Sequence, residues 1–411
     1  MSTRHLLKTV ALIVAAAIVA ACSTERAFTI TGGAAADCSE NTGFDALFAP
    51  KCRFENFRNF DRFGPTTVIE AATRAEPLPT DINEIQFSHS YLGEELTLGR
   101  FLEQTASSGF IVVKDGTVID ERYYHGNRPS APNAGFSMTK SIVSALVGAA
   151  LADGDIKSID DAVTDYVPAL TSPTFSGVTI KQVLQMSSGV KFNEDYSDPG
   201  SDINKMSYLV QQMSYVDYIN TLDRQHPPGS HHVYASINTH ILGLVVANAT
   251  GKTLSTYLAE KIWEPLGMQY SARWMVDKDG YELPMGGLAI TLRDWARFGQ
   301  LYANRGEWQG RQILPAPWVD ESTQPTEAHL LPGKRQNSQH DFGYQYQWWT
   351  PVAAARDFMA LGIWGQVMYI NPEHNTVIVK LSADPQSFSA DSEHEIVAYL
   401  QALSAALDKE K

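Results

Sequence analysis

Cysteine is scarce: the 411 residues hold only Cys22, Cys38 and Cys52. Cys22 closes an apolar leader, which leaves one pair, and in an oxidising compartment that pair is expected to form a Cys38–Cys52 disulfide. In the chain-entropy picture, closing a loop of this size adds about 3 kcal/mol of stability. Thiolate catalysis and cysteine-ligated metal sites are thereby excluded. Histidine offers no substitute: no H-E-x-x-H pattern occurs and His231 and His232 are adjacent, so neither metal nor cofactor is expected. Positive charge is also short, with 32 Lys and Arg against 46 Asp and Glu and a net charge of −14. A surface of that sign is repelled by nucleic acid and by anionic lipid. No period of 20 to 50 residues recurs, which excludes solenoids and propellers. A phosphate loop is missing too. "ATGKT" ends like one, but position 246 is Val where the first Gly is required, and Lys252 reads as a solvated turn residue.

What is present is a globular composition, 44% hydrophobic, with Gly and Pro spread along the chain. The opening "MSTRHLLKTVALIVAAAIVAAC" has cations at Arg4 and Lys8, an apolar run from Val10 to Val19, then small residues. This is an export signal over residues 1–21, too short and wrongly flanked for a permanent span. Its "VAAC" end resembles the bacterial lipobox, in which the cysteine, here Cys22, is lipidated and becomes the mature N-terminus; the alternative is an ordinary cleavable leader. Ser23 in place of Asp suggests delivery to the outer membrane. The expected location is the bacterial cell envelope, lipid-anchored and facing the periplasm. Losing Arg4 and Lys8 takes the net charge from −14 to −16, so the anchor is the expected membrane link.

Residues 22–80 show no clear periodicity and read as a tether plus an N-terminal extension. From Gly109, "GFIVVKDGTVIDERYY" reads as two strands about an Asp115-Gly116 turn. A helix follows from near Ser137 and ends at Asp153-Gly154. Residues 155–283 are mostly helical, broken by turns. Near the C-terminus, "YQYQWWT", "MALGIWGQVMYIN" and "NTVIVKLSA" are aromatic and β-branched runs, and a last helix runs from about Ala390 to Leu407. Strands at both ends of the chain with helices between them imply an α+β fold. One sheet is built from 81–154 and 284–411, and a mainly helical region, 155–283, is inserted.

Three stretches carry chemistry. In "NAGFSMTKSIVSALVG", Ser137 and Lys140 stand one helical turn apart on one face. A serine hydroxyl needs a base to become a nucleophile, and burial against Ile142, Val143, Leu146 and Val147 can make a lysine one. Taken alone, the pair is also what a helix N-cap and a solvated lysine look like. The same spacing recurs at Ser188 and Lys191, where Gly189 interrupts, and that copy reads as a turn. In "PPGSHHVYASINTHILG", a Pro-Pro-Gly turn delivers Tyr234, with Ser236 as a good N-cap for the next helix. A phenol held there can shuttle a proton, and a nearby ammonium would favour its phenolate. In "ALGIWGQVMYIN", Gly362 and Gly365 interrupt a strand, as where a backbone is closely approached.

Taken together and in order, these segments resemble the serine β-lactamase and penicillin-binding superfamily. Within it they are most similar to the class C-like branch, with its family VIII esterases and 6-aminohexanoate-dimer hydrolases. The likeness runs from about Thr97 to the last helix, through "IKQVLQMSSGV", "GKTLSTYLAEKIWEPLGM" and "GGLAITLRDWARFGQLYANRGEW". It implies Ser137 as nucleophile, Lys140 as the group that takes or relays its proton, and Tyr234 as the second acid/base. It implies an oxyanion hole of the Ser137 and Ile363 amides, with Tyr196, Ser236, Gly362 and Trp364 lining the substrate site. Tyr196 resembles a tyrosine on a mobile flap. Two departures stand out. The family's Lys-Thr-Gly reads Ala360-Leu361-Gly362, and its Tyr-x-Asn reads Tyr234-Ala235-Ser236. A lost charge-assisted contact costs about 2–3 kcal/mol, on the order of a hundredfold in affinity. The expected substrate is therefore a small ester or short linear amide, with little β-lactamase activity. A cell-wall D-Ala-D-Ala peptidase, a β-lactamase and an inactive envelope-binding scaffold are the alternatives. The oligomeric state is not written in the sequence.

Overall fold

The computed structural model describes Cys38 and residues 44–209, 212–351, 356–387 and 389–409. The leader and Cys22 lie outside them. Its centre is a seven-stranded antiparallel sheet. Strands β1 (Ser107–Lys114) and β2 (Thr117–Tyr123) come from the first third of the chain. The others are β3 (Gly343–Gln345), β4 (Trp348–Thr350), β5 (Phe358–Gly362), β6 (Gln366–Asn371) and β7 (Thr376–Ser382). The order is β3-β4-β5-β6-β7-β1-β2, so the two ends of the chain join where Val377 pairs with Val113. The β1–β2 turn has positive φ at both Asp115 and Gly116, the conformation that matches hairpin twist and favours Asp-Gly.

Period-two alternation assigns the sheet's two faces. Ile111 and Val113 face the core that holds Trp295, Phe298 and Leu301 of helix Leu292–Ala303. Phe110 and Val112 face the core that holds Ile396, Tyr399 and Leu403 of the final helix, Ala390–Lys409. Two further helices, α1 (Thr139–Asp153) and α2 (Ser236–Thr250), pack on each other. Both are apolar nearly all round, as buried helices are. Residues 139–150 are all buried, and α1 ends on Gly154 in the left-handed conformation. Gln347 ties the pair together: its carbonyl accepts from Ser141 Oγ at 2.8 Å and its amide oxygen from Thr239 Oγ1 at 2.6 Å.

A second, four-stranded sheet, which the sequence did not suggest, sets the entry to α1. It runs in the order Thr66–Ile69, Ala272–Met275, Leu288–Ile290, Asn133–Ala134. Asn133 pairs with Ile290, and the Gly135 amide donates to the Leu288 carbonyl at 3.0 Å. The chain just before Ser137 is thus fixed to a strand. The N-terminal segment supplies the outer strand and, ahead of it, the short helix Arg53–Arg58. Cys38 and Cys52 are joined in a buried disulfide with 5.7 Å between Cα atoms. Among the described residues, no helix is long and apolar enough to cross a membrane.

Candidate active site

Ser137 lies in the 3-10 turn Phe136–Met138 that leads directly into α1. Phe136 carries a φ of +45°, a conformation costly for a bulky residue by about 1 kcal/mol or more. It is held by rings around it: Phe57 edge-on at 4.9 Å, with Phe48 and Phe60 at 6.0 and 6.1 Å. On the other side Gly135 lies so close to Trp295 that a Cβ there would fall 2.3 Å from the indole. The turn is sterically locked.

Lys140 is buried, 1% exposed, and its Nζ donates to Ser137 Oγ at 2.8 Å and to the Met285 carbonyl at 2.6 Å. Burial lowers its pKa to about 8, against the opposing pull of the Glu194 carboxylate. The amine also sits 5.1 Å from the centre of the Tyr234 ring. Tyr234 stacks on Trp349 at 5.2 Å, and Ser137 is among the groups that act on its hydroxyl. Its pKa is raised, first by burial and then by Glu194, with the Ser137 contact opposing. The resting phenol is therefore neutral. This corrects the expectation that the lysine would favour a phenolate, because desolvation outweighs the neighbouring amine.

The end of β5 approaches the same turn. A Cβ on Gly362 would lie 2.5 Å from the Gly135 carbonyl, so glycine alone permits the approach. Ile363 follows it and lines the cavity above Ser137. Trp364, at φ +66°, turns the hairpin into β6 and lines the outer mouth with Tyr196.

Glu194 was not singled out from sequence. Its carboxylate accepts from the Ser236 amide at 2.9 Å, from Ser236 Oγ and from the Tyr196 hydroxyl at 3.2 Å. Burial raises its pKa, opposed by Lys140 and by the Ser236 contacts. Ser236 is not the N-cap. Ala235 holds that position without a side-chain bond, and Ser236 is the first helical residue with its hydroxyl committed to Glu194. The carboxylate takes up a first-turn donor in place of a cap. Glu194 lies in the acidic run "NEDYSD", which looks solvated, and its partner is 42 positions away. The second Ser-x-x-Lys copy is a turn: Gly189 has φ +80° and packs on the His226 carbonyl. Lys252 follows the left-handed Gly251 that ends α2 and is exposed, pairing with Glu260.

Above Ser137 opens a cavity of about 430 Å³, lined in part by Ser137, Tyr196, Ser236 and Ile363. No group of three or more metal-binding side chains occurs among the described residues. A hydroxyl, a buried amine of lowered pKa and a phenol meeting below a cleft are the parts of a serine hydrolase. The chain belongs to the beta-lactamase family, whose pattern it matches over residues 97–402. It is 28% identical over 345 residues to the 6-aminohexanoate-dimer hydrolase of Paenarthrobacter ureafaciens, covering 79% of this chain and 81% of that one. Among solved structures it is similar to a "putative 6-aminohexanoate-dimer hydrolase" from Bacillus anthracis. That match has a TM-score of 0.80 and 25% identity over 88% of this chain and 96% of the other. A penicillin-binding protein homologue from Caulobacter crescentus shares the fold at TM-score 0.53 and 17% identity, over 71% and 92% of the two chains.

Proposed function

We propose that the protein hydrolyses a small ester or short linear amide through an acyl-enzyme on Ser137. The observation that carries this is the 2.8 Å contact between Ser137 Oγ and a buried Lys140 whose pKa is lowered to about 8. The neutral amine takes the serine proton as Oγ attacks the carbonyl carbon. The Ser137 and Ile363 amides receive the oxyanion. Tyr234, neutral and beside Lys140, delivers a proton to the departing alcohol or amine and regains one from the Lys140 ammonium, which restores both groups. Water then repeats the sequence to release the acid. The relative that acts on an amide supports the reading, as does the absence of a cation and hydroxyl at Ala360 and Leu361, which leaves a β-lactam carboxylate without a grip. Ser137→Ala is expected to lower nitrophenyl acetate hydrolysis at least 10³-fold with an unchanged melting temperature. Retained turnover removes Ser137 from its role, and rapid nitrocefin hydrolysis favours the β-lactamase reading instead.

We also infer that the chain is exported and held to the envelope through lipid on Cys22. Support comes from the leader's pattern and from the Cys38–Cys52 disulfide, a bond that persists in oxidising compartments. Palmitate labelling in a bacterial host should mark the wild type and not Cys22→Ser. Equal labelling of both overturns the assignment.

A further inference from the structure

The cavity above Ser137 is walled by a part of the chain outside the 97–402 family match. Leu47, Phe48, Phe60 and Phe63, all from the N-terminal segment, line it together with Met275 and Leu283. The segment is fastened at three points. The Cys38–Cys52 disulfide closes it on itself. Phe48 stacks on Trp364 at 5.8 Å, and the Arg53 guanidinium lies 4.4 Å from the centre of the same indole. Phe57 and Phe60 pack edge-on against Phe136, the residue before the nucleophile. One cation, Arg62, reaches this wall. Its charge is met by Glu55 at 3.0 Å and by the Cys38 carbonyl. A bound group entering this lobe therefore meets apolar surface with no uncompensated charge to pair with it. Tyr234, the group placed to protonate a leaving atom, is not among the walls, whereas Ser137 and Ile363 are. The acyl side of the substrate is the side that fits here.

We propose that the segment 44–63, tied down by the Cys38–Cys52 disulfide, is a specificity element, forming with Met275 and Leu283 a subsite for an uncharged apolar acyl group of about hexanoyl or phenyl size. The proposal rests on the acyl-enzyme reading above and names the substrate class for it. An acyl chain lying in this lobe removes its methylenes from water as the ester approaches the transition state. Each buried methylene is worth roughly fourfold in kcat/KM.

The test is a series of nitrophenyl acetate, butyrate, hexanoate and 6-aminohexanoate, with Ser137→Ala as the blank. The wild type should rise at least tenfold in kcat/KM from acetate to hexanoate and fall by a similar factor for the cationic 6-aminohexanoate. Phe48→Ala, and separately the double variant Cys38→Ser/Cys52→Ser, should each lower the hexanoate-to-acetate ratio about tenfold. Labelling of Ser137 by a small fluorophosphonate confirms that each variant keeps a folded site. A Ser137-dependent profile in the wild type that is flat with chain length, or that favours the cationic ester, overturns the proposal while leaving the catalytic reading in place. A ratio unchanged in both variants overturns it as well. Absence of Ser137-dependent turnover on every ester removes the catalytic reading and the proposal with it.

Discussion

At the scale of single residues, the site depends on how burial treats opposite charges. Removing an amine from water lowers its pKa and removing a phenol or carboxyl raises it. Lys140, Tyr234 and Glu194 all move in those directions. In the proposed mechanism the lysine, once deprotonated, is the base and the neutral tyrosine the acid. Because the base must be deprotonated to act, kcat/KM should rise with pH along a limb of apparent pKa near 8. Glu194 holds Lys140 up, so Glu194→Gln should move that limb to lower pH, measured by rate profiles from pH 5 to 10. A limb that stays in place would show that the carboxylate does not couple to the amine. Ser137 and Lys140 were legible in the sequence because their contact lies within a single helical turn. Glu194 was not, since its acidic neighbours resemble a solvated loop and its partner Ser236 comes from another element. Tyr234 stood out through the family resemblance, since a tyrosine after a Pro-Pro-Gly turn is by itself as well read as a core residue, and its protonation state depends on burial, which one chain segment does not reveal.

At the scale of elements, the local signals were the readable ones. The Asp115-Gly116 hairpin, the Gly154 stop and the last helix each follow from a few adjacent residues, and their observed bounds agree with that reading. The sheet of Thr66–Ile69, Ala272–Met275, Leu288–Ile290 and Asn133–Ala134 was hidden because its strands are two to four residues long. Pairing alone, across some 200 positions, makes it a sheet. The role of the N-terminal segment was hidden for the same reason: its phenylalanines find Phe136 and Trp364 far along the chain. The approach of β5 to the Ser137 turn makes its own prediction. Gly362→Val would drive a side chain into the Gly135 carbonyl and push the strand end away from Ser137. Loss of one oxyanion donor costs about 10²–10³ in kcat, so steady-state kinetics should show a drop of that size with little change in KM. Activity within threefold of wild type would place the second oxyanion donor elsewhere.

At the scale of the molecule, distant parts of the chain are brought to one point by a sheet that joins the first third of the sequence to the last. Ser137 enters from the small sheet, Tyr234 from just before α2, Ile363 from just after β5, and the apolar wall from the N-terminal segment. Each support is a packed element, which suits a site that must hold its groups within fractions of an ångström. The account's central claim is that the hydroxyl of Ser137, activated by Lys140, forms a covalent bond to the substrate's acyl group. Mass spectrometry of the protein after reaction with a fluorophosphonate, followed by peptide mapping, tests it most directly. The account predicts a single adduct on the peptide carrying Ser137, absent in Ser137→Ala and formed at least tenfold more slowly in Lys140→Ala. An adduct on a different serine, or labelling that proceeds equally well without Lys140, would contradict it.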